Sequence, residues 1–201
     1  MLKIVLATGN KHKVREFKNI FEENGIEAEI IPISETGFKG EIIENADTFE
    51  GNAYIKAKTL CDYTGMTTIA DDSGLCVDAL GGAPGVYSSR YSGENADDMK
   101  NINKLLTELH KLGDVKRDAH FECCICVCRK DGKKMTFTGR CEGKIIDELR
   151  GDGRFGYDPV FFYEPFGKTF AEMTSAEKDK VSHRGKAMEE LIKNLSFISE
   201  E

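Results

Sequence analysis

Residues 2–7, LKIVLA, are an unbroken apolar run rich in branched side chains, the pattern of a buried strand. Thr8-Gly9-Asn10 punctuates it. Val14, Phe17, Ile20 and Phe21 then recur at helical spacing as far as Gly25. A second apolar run over 26–33 predicts another strand. The chain therefore opens strand–helix–strand, the start of an α/β layer fold. Residues 34–51 are polar and read as loop. A helix is predicted over 52–65, then a short strand over 67–71 and a second extended piece over 74–80, closed by the turn-rich GGAPG. Ile102, Leu105, Leu106, Leu109 and Leu112 share one face and predict a helix within 95–112, capped by Asn95 or Asp97.

The second half alternates differently. Residues 119–146 are two extended runs about Asp131-Gly132, a strong hairpin signal. A Gly-rich loop follows over 149–159, then a buried strand over 160–163. Helical spacing returns over 175–195, with a break near Ser182, and the tail after Leu195 is short. There is no internal repeat and no low-complexity linker.

The 201 residues suit one large domain or two joined lobes. A chain of this length buries about 70% of its unfolded surface, so neither a metal nor a disulfide staple is needed. A net charge of −7 argues against non-specific nucleic-acid binding, which rests on phosphate neutralisation. It leaves room for a local basic pocket or a divalent cation. No apolar stretch is long enough to span a membrane, and the N-terminus puts its apolar run before its charges, unlike a signal peptide. The seven cysteines, an odd count without a secretory signal, argue for reduced thiols and a cytoplasmic protein.

Several stretches carry groups suited to chemistry. Thr8-Gly9-Asn10-Lys11-His12-Lys13 follows the first strand and opens a helix. Backbone N–H groups there attract anions and Gly9 admits close approach; a plain turn capped by Asn10 uses the same residues. Asp71 and Asp72 stand together at a strand end. Adjacent strand residues point to opposite faces, so one serves a site while the other faces away or braces it. Such a carboxylate suits Mg²⁺ or a water awaiting activation; an Asx-turn is the bland alternative. Phe155 and Tyr157 lie in the Gly-rich loop, as a base-stacking platform or as core anchors. Lys178, Lys180, His183, Arg184 and Lys186 put five potentially cationic groups into nine residues. They form a clamp for phosphates or a base carbonyl, or a solvated helix face. Glu44 and Glu50 carry no signal alone. In CCICVC, Cys124, Cys126 and Cys128 share a strand face about 7 Å apart, a spacing that fits burial better than metal ligation.

Taken in order, LATGNKHKVREF, TFEGNAYIKAKTL, ADDSGLCVDALGGAPGVYSSRYSG, GRFGYDPVF and EKDKVSHRGKA resemble the non-canonical purine nucleoside triphosphate pyrophosphatases, the inosine/xanthosine triphosphatase (HAM1-like) family. The resemblance runs from residue 3 to about 195. It implies one two-lobed domain over 1–201, with a long mixed central sheet flanked by helices and the substrate in a cleft. It implies Mg²⁺-dependent hydrolysis of dITP/ITP and XTP/dXTP to the monophosphate plus pyrophosphate by a cytoplasmic homodimer, with no nucleic-acid or membrane partner. The family's phosphate motif falls on Thr8, Gly9, Asn10, Lys11, His12 and Lys13. The catalytic carboxylate and metal ligand falls on Asp72, and a substrate contact on Ser73. The metal-associated glutamate falls on Glu44, although ENADTF departs from the usual Glu-x-Gly before Thr-Phe. Base-binding positions fall on Phe155, Gly156, Tyr157 and Asp158, and further substrate contacts on Lys178, His183 and Arg184. The resemblance leaves open whether Asp72 or the metal activates the water, and how GTP is rejected.

Two other readings cover parts of the sequence. A Maf-like pyrophosphatase would prefer pyrimidine triphosphates, but the SHRG and DDSGLCVDALGGAPG blocks argue against it. A non-catalytic metal or redox module would rest on the cysteine strand.

Overall fold

The computed structural model describes residues 2–94, 97–153 and 155–199, apart from the side chains of His12 and Ser199. The first apolar run forms β1 (Leu2–Leu6), with Ile4, Val5 and Leu6 buried. It runs parallel to β2 (Ala28–Pro32) and to β3 (Thr68–Val77). The predicted hairpin is β4 (Asp118–Cys128) and β5 (Lys134–Ile145); its turn is closed by Arg129 N–H donating to Lys133 O at 2.9 Å. Strands β6 (Phe161–Tyr163) and β7 (Lys168–Thr169) add antiparallel. The result is a mixed seven-stranded sheet in the order β2-β1-β3-β4-β5-β6-β7.

The helices are α1 (Lys11–Glu23), α2 (Phe49–Thr64), α3 (Asp98–Lys111), α4 (Ser175–Val181), α5 (His183–Lys193) and α6 (Leu195–Ser199). The contacts divide the chain into two units. One holds the residues up to Asp72, Cys124–Thr138 and those from Ala187; the other holds Ser73–Cys123 and Gly139–Lys186. Each has its own core. In the first, Ala53, Ala57 and Leu60 of α2 pack on Val5, Ala70, Cys126 and Cys128; the small side chains let helix and strands approach closely. In the second, Ile102, Leu105 and Leu109 of α3 join Leu75, Val77, Phe121, Phe161 and Phe170. Among the described residues, no helix is long and apolar enough to cross a membrane.

Five elements differ from their sequence expectation. The two extended pieces at 67–71 and 74–80 are one strand, β3, running through Asp71-Asp72-Ser73-Gly74 and ending at Val77. The register with β1 covers Thr68 and Ile69, and β3 runs on past it with β4 as its other neighbour in the sheet, so the context of the sheet overrides the local turn preference and the Asx-turn reading falls. Helix α2 starts at Phe49 rather than residue 52, because the Thr48 hydroxyl accepts from Gly51 N–H at 3.0 Å and caps it. Helix α3 is capped by Asp97, which accepts from Lys100 N–H at 2.8 Å, while Asn95 lies outside the described residues. Leu112 follows that helix and is exposed rather than on its buried face. The short tail contains α6, held where the Arg129 guanidinium donates to Phe197 O at 3.1 Å. The Cys126 and Cys128 sulfurs lie 3.9 Å apart, well inside the strand spacing expected for alternate residues.

Candidate active site

Strand alternation settles the two aspartates. Asp71 is fully buried and takes the Lys13 ammonium of α1 at 2.8 Å. Asp72 points the other way, toward α2, where Lys56 Nζ lies 3.2 Å from its Oδ1. The same ammonium lies 2.5 Å from Glu44 Oε2, so one buried lysine bridges two carboxylates. The loop bearing Glu44 is tied to α2 by Asn52, whose side-chain oxygen accepts from Ala46 N–H at 3.0 Å. The crossing is tight: a Cβ on Gly51 would lie 2.5 Å from that of Ala46, so the glycine is required there.

Burial pushes the Asp72 carboxyl above its ordinary pKa, and Glu44 adds to the rise; Lys56, Lys13 and Asn52 oppose it. Burial by itself would lower the Lys56 ammonium, but Asp72 and Glu44 outweigh it and hold that group above its usual value. Among the described residues, no group of three or more His, Cys, Asp or Glu is placed to hold a metal ion. Mg²⁺ asks for less: it keeps most of its waters and takes one or two carboxylates. Asp72 Oδ2 is buried and accepts no hydrogen bond of ordinary geometry. With Glu44 beside it, that open oxygen fits a hard divalent cation.

A second constellation begins at the next residue. Ser73 Oγ accepts from Arg184 Nη2 at 3.1 Å. His183 and Arg184 open α5, and the His183 ring stacks on Phe121 with centres 4.8 Å apart. The turn between α4 and α5 depends on Gly185, where a Cβ would lie 1.7 Å from Asp179 O. Lys178 forms an ion pair with buried Asp158, and its Nζ lies 5.6 Å from the Phe155 ring centre. The loop before it is pinned twice. Tyr157 is buried and donates to Ser88 O at 2.9 Å, while Gly156 N–H donates to Asp98 Oδ2 at 2.8 Å. Phe155, 39% exposed, is left as the ring that faces outward.

Glu44 and Asp72 are thus brought together, as are Ser73 and Arg184, and Phe155, Asp158 and Lys178. Lys13 lies within reach of the first group through Asp71. At the start of α1, Thr8 Oγ1 accepts from Asn10 N–H at 3.2 Å and Asn10 Oδ1 from Lys13 N–H at 3.4 Å. Lys11 is exposed, and the His12 side chain lies outside the described residues. Sequence reasoning missed Lys56 and Asn52. Their signal was present: Phe49, Asn52, Ala53, Lys56, Ala57 and Leu60 form the buried stripe of α2, with two polar residues inside an apolar face.

A model of the Ham1 family matches residues 4–194. A dITP/XTP pyrophosphatase of Desulfotalea psychrophila is 50% identical over 188 residues, covering 94% of this chain and 82% of that protein. One from Lactobacillus acidophilus is 49% identical over 199 residues, covering 98% of each. The solved structure of a HAM1 protein from Coxiella burnetii superposes with a TM-score of 0.91 at 40% identity, covering 98% of this chain and 99% of that one. With its mixed sheet, its strand-borne Asp72 and these likenesses over nearly its whole length, the chain belongs to the Ham1 family.

Proposed function

We propose that the protein is a nucleoside triphosphate pyrophosphatase that hydrolyses dITP/ITP and XTP/dXTP to the monophosphate plus pyrophosphate, clearing these nucleotides from the pool. The names of its relatives support the substrate class. The observation that carries the chemistry is the Lys56 ammonium bridging Glu44 and Asp72 in a buried setting.

Phosphoryl chemistry asks a protein chiefly for positioning and charge neutralisation. Asp72 accepts the proton of the water that attacks the α-phosphorus, at its open Oδ2. Lys11, Lys13, Lys56 and Lys178 neutralise the phosphate chain, with the backbone at Thr8–Asn10 holding it by N–H donors. Mg²⁺, held by Asp72 and Glu44, supplies further neutralisation at the phosphate oxygens when bound. Phe155 stacks on the base whatever its identity. A donor for a 6-keto oxygen comes from Arg184, whose Nη2 also donates to Ser73, or from His183. Adenine presents a 6-amino donor at that position, and a mispaired buried polar group discriminates strongly. The reading extends to a cytoplasmic homodimer; all seven cysteines are free thiols, which suits a reducing compartment.

Product analysis tests the reaction. With ITP and Mg²⁺, equal amounts of IMP and pyrophosphate are expected; IDP with orthophosphate would overturn the assignment.

A further inference from the structure

The loop that carries Phe155 turns on one residue. Phe155 faces outward and Tyr157 inward, and the reversal falls on Gly156, at a φ of 55°. That left-handed turn suits glycine, and glycine is also the residue freest to leave it. Inside the loop, Phe155 N–H donates to Gly153 O at 3.1 Å and Asp158 N–H to Phe155 O at 3.2 Å. The Gly156 N–H instead reaches out of the loop, to Asp98 Oδ2 of α3 at 2.8 Å. That length is typical of a hydrogen bond to an ionised acceptor, one of the stronger kinds. Loop and helix belong to the same unit. Asp98 directly follows the Asp97 cap, and the first turn of a helix favours a carboxylate.

We propose that Asp98 is a positioning residue of the base platform: by holding the Gly156 N–H it fixes the reversal that presents the Phe155 ring. The inference rests on the stacking role proposed for Phe155, and Asp98 acts through Gly156 rather than on the nucleotide. The other tether of the loop does a different job. Tyr157 O–H donates to Ser88 O at 2.9 Å, and Ser88 Oγ accepts from Leu75 N–H at 2.9 Å and donates to Gly85 O at 2.6 Å. That chain anchors the loop in the buried interior. Asp98 is exposed, so replacing it leaves the core intact. Stacking is tolerant of base identity. Loss of the Asp98 tether therefore weakens all nucleotides alike and leaves the choice between bases to the groups that meet the base edge. Contact of this kind is made equally in the ground and transition states, so its loss shows in KM and spares kcat.

The test uses Asp98→Ala and Asp98→Asn, each first checked for a cooperative melt. Asparagine keeps an acceptor oxygen and loses the charge; alanine loses both. Amide hydrogen exchange is read by NMR without nucleotide. The Gly156 N–H is expected to exchange at least about tenfold faster in Asp98→Ala and within about threefold of the wild type in Asp98→Asn. In turnover with Mg²⁺, Asp98→Ala is expected to raise the KM for ITP about tenfold with kcat within about twofold, and to lower kcat/KM for ATP in the same proportion as for ITP. Asp98→Asn is expected to recover most of the KM. Unchanged exchange in Asp98→Ala, a loss of kcat at unchanged KM, a shifted ITP-to-ATP ratio, or an asparagine variant no better than the alanine one would overturn the proposal. A wild type that releases no pyrophosphate defeats the pyrophosphatase reading instead, and the exchange measurement, which needs no nucleotide, still decides the tether.

Discussion

At the scale of single residues, Asp72 and Lys56 carry the most weight. Asp72→Asn keeps the shape and removes the base, and turnover is expected to fall by about 10²–10⁴-fold with the melting transition retained. Near-normal turnover would remove Asp72 from the mechanism. Lys56→Met makes a sharper prediction. A base works only when ionised, so the rate falls as pH drops through the Asp72 pKa. Burial raises that pKa and Lys56 holds it back. Without the ammonium, the acid limb of kcat/KM moves to higher pH, measured as a pH–rate profile at fixed Mg²⁺; an unmoved limb would contradict the coupling. Arg184→Ala is expected to narrow the preference for ITP over ATP by at least about tenfold, read from the two kcat/KM values. Most of these residues were legible because they sit in short blocks of unusual composition. Lys56 was not, because its role comes from a helix face meeting β3 and a loop, a meeting that spacing alone does not display.

At the scale of elements, local signals succeeded where no neighbour competed with them. Gly25, Gly65 and Gly132 each stand at an end or turn with positive φ, where the sequence predicted one. The hairpin about Asp131-Gly132 and the break at Ser182 formed as read. Asp71 to Gly74 went otherwise. Four residues that favour a turn form the middle of a strand, which runs on past its register with β1 in a sheet where β4 is its other neighbour. Helix α6 escaped notice because five residues are too few to show a period, and Arg129 is what holds it. The α4–α5 junction yields a stability prediction. Gly185→Ala drives a methyl into Asp179 O, and a loss of about 2–3 kcal/mol is expected in chemical denaturation. A neutral result would show that the junction relaxes freely.

At the scale of the whole molecule, the α/β class was readable from the opening strand–helix–strand, and the mixed character of the sheet from the family resemblance. The division into two units, each with its own core, was not readable from periodicity, because β3, β4 and β5 each contribute residues to both. The charge balance has a functional side. A chain of net charge −7 disfavours polyanions in general, so the proposed function needs local cations to draw a triphosphate. The most direct test of the account is pyrophosphate release with Mg²⁺, as kcat/KM, across ITP, dITP, XTP, GTP, ATP, dTTP and UTP. The account predicts strong selectivity for ITP, dITP and XTP over ATP, GTP and both pyrimidines. Preference for dTTP or UTP, or no release from any of them, would contradict it.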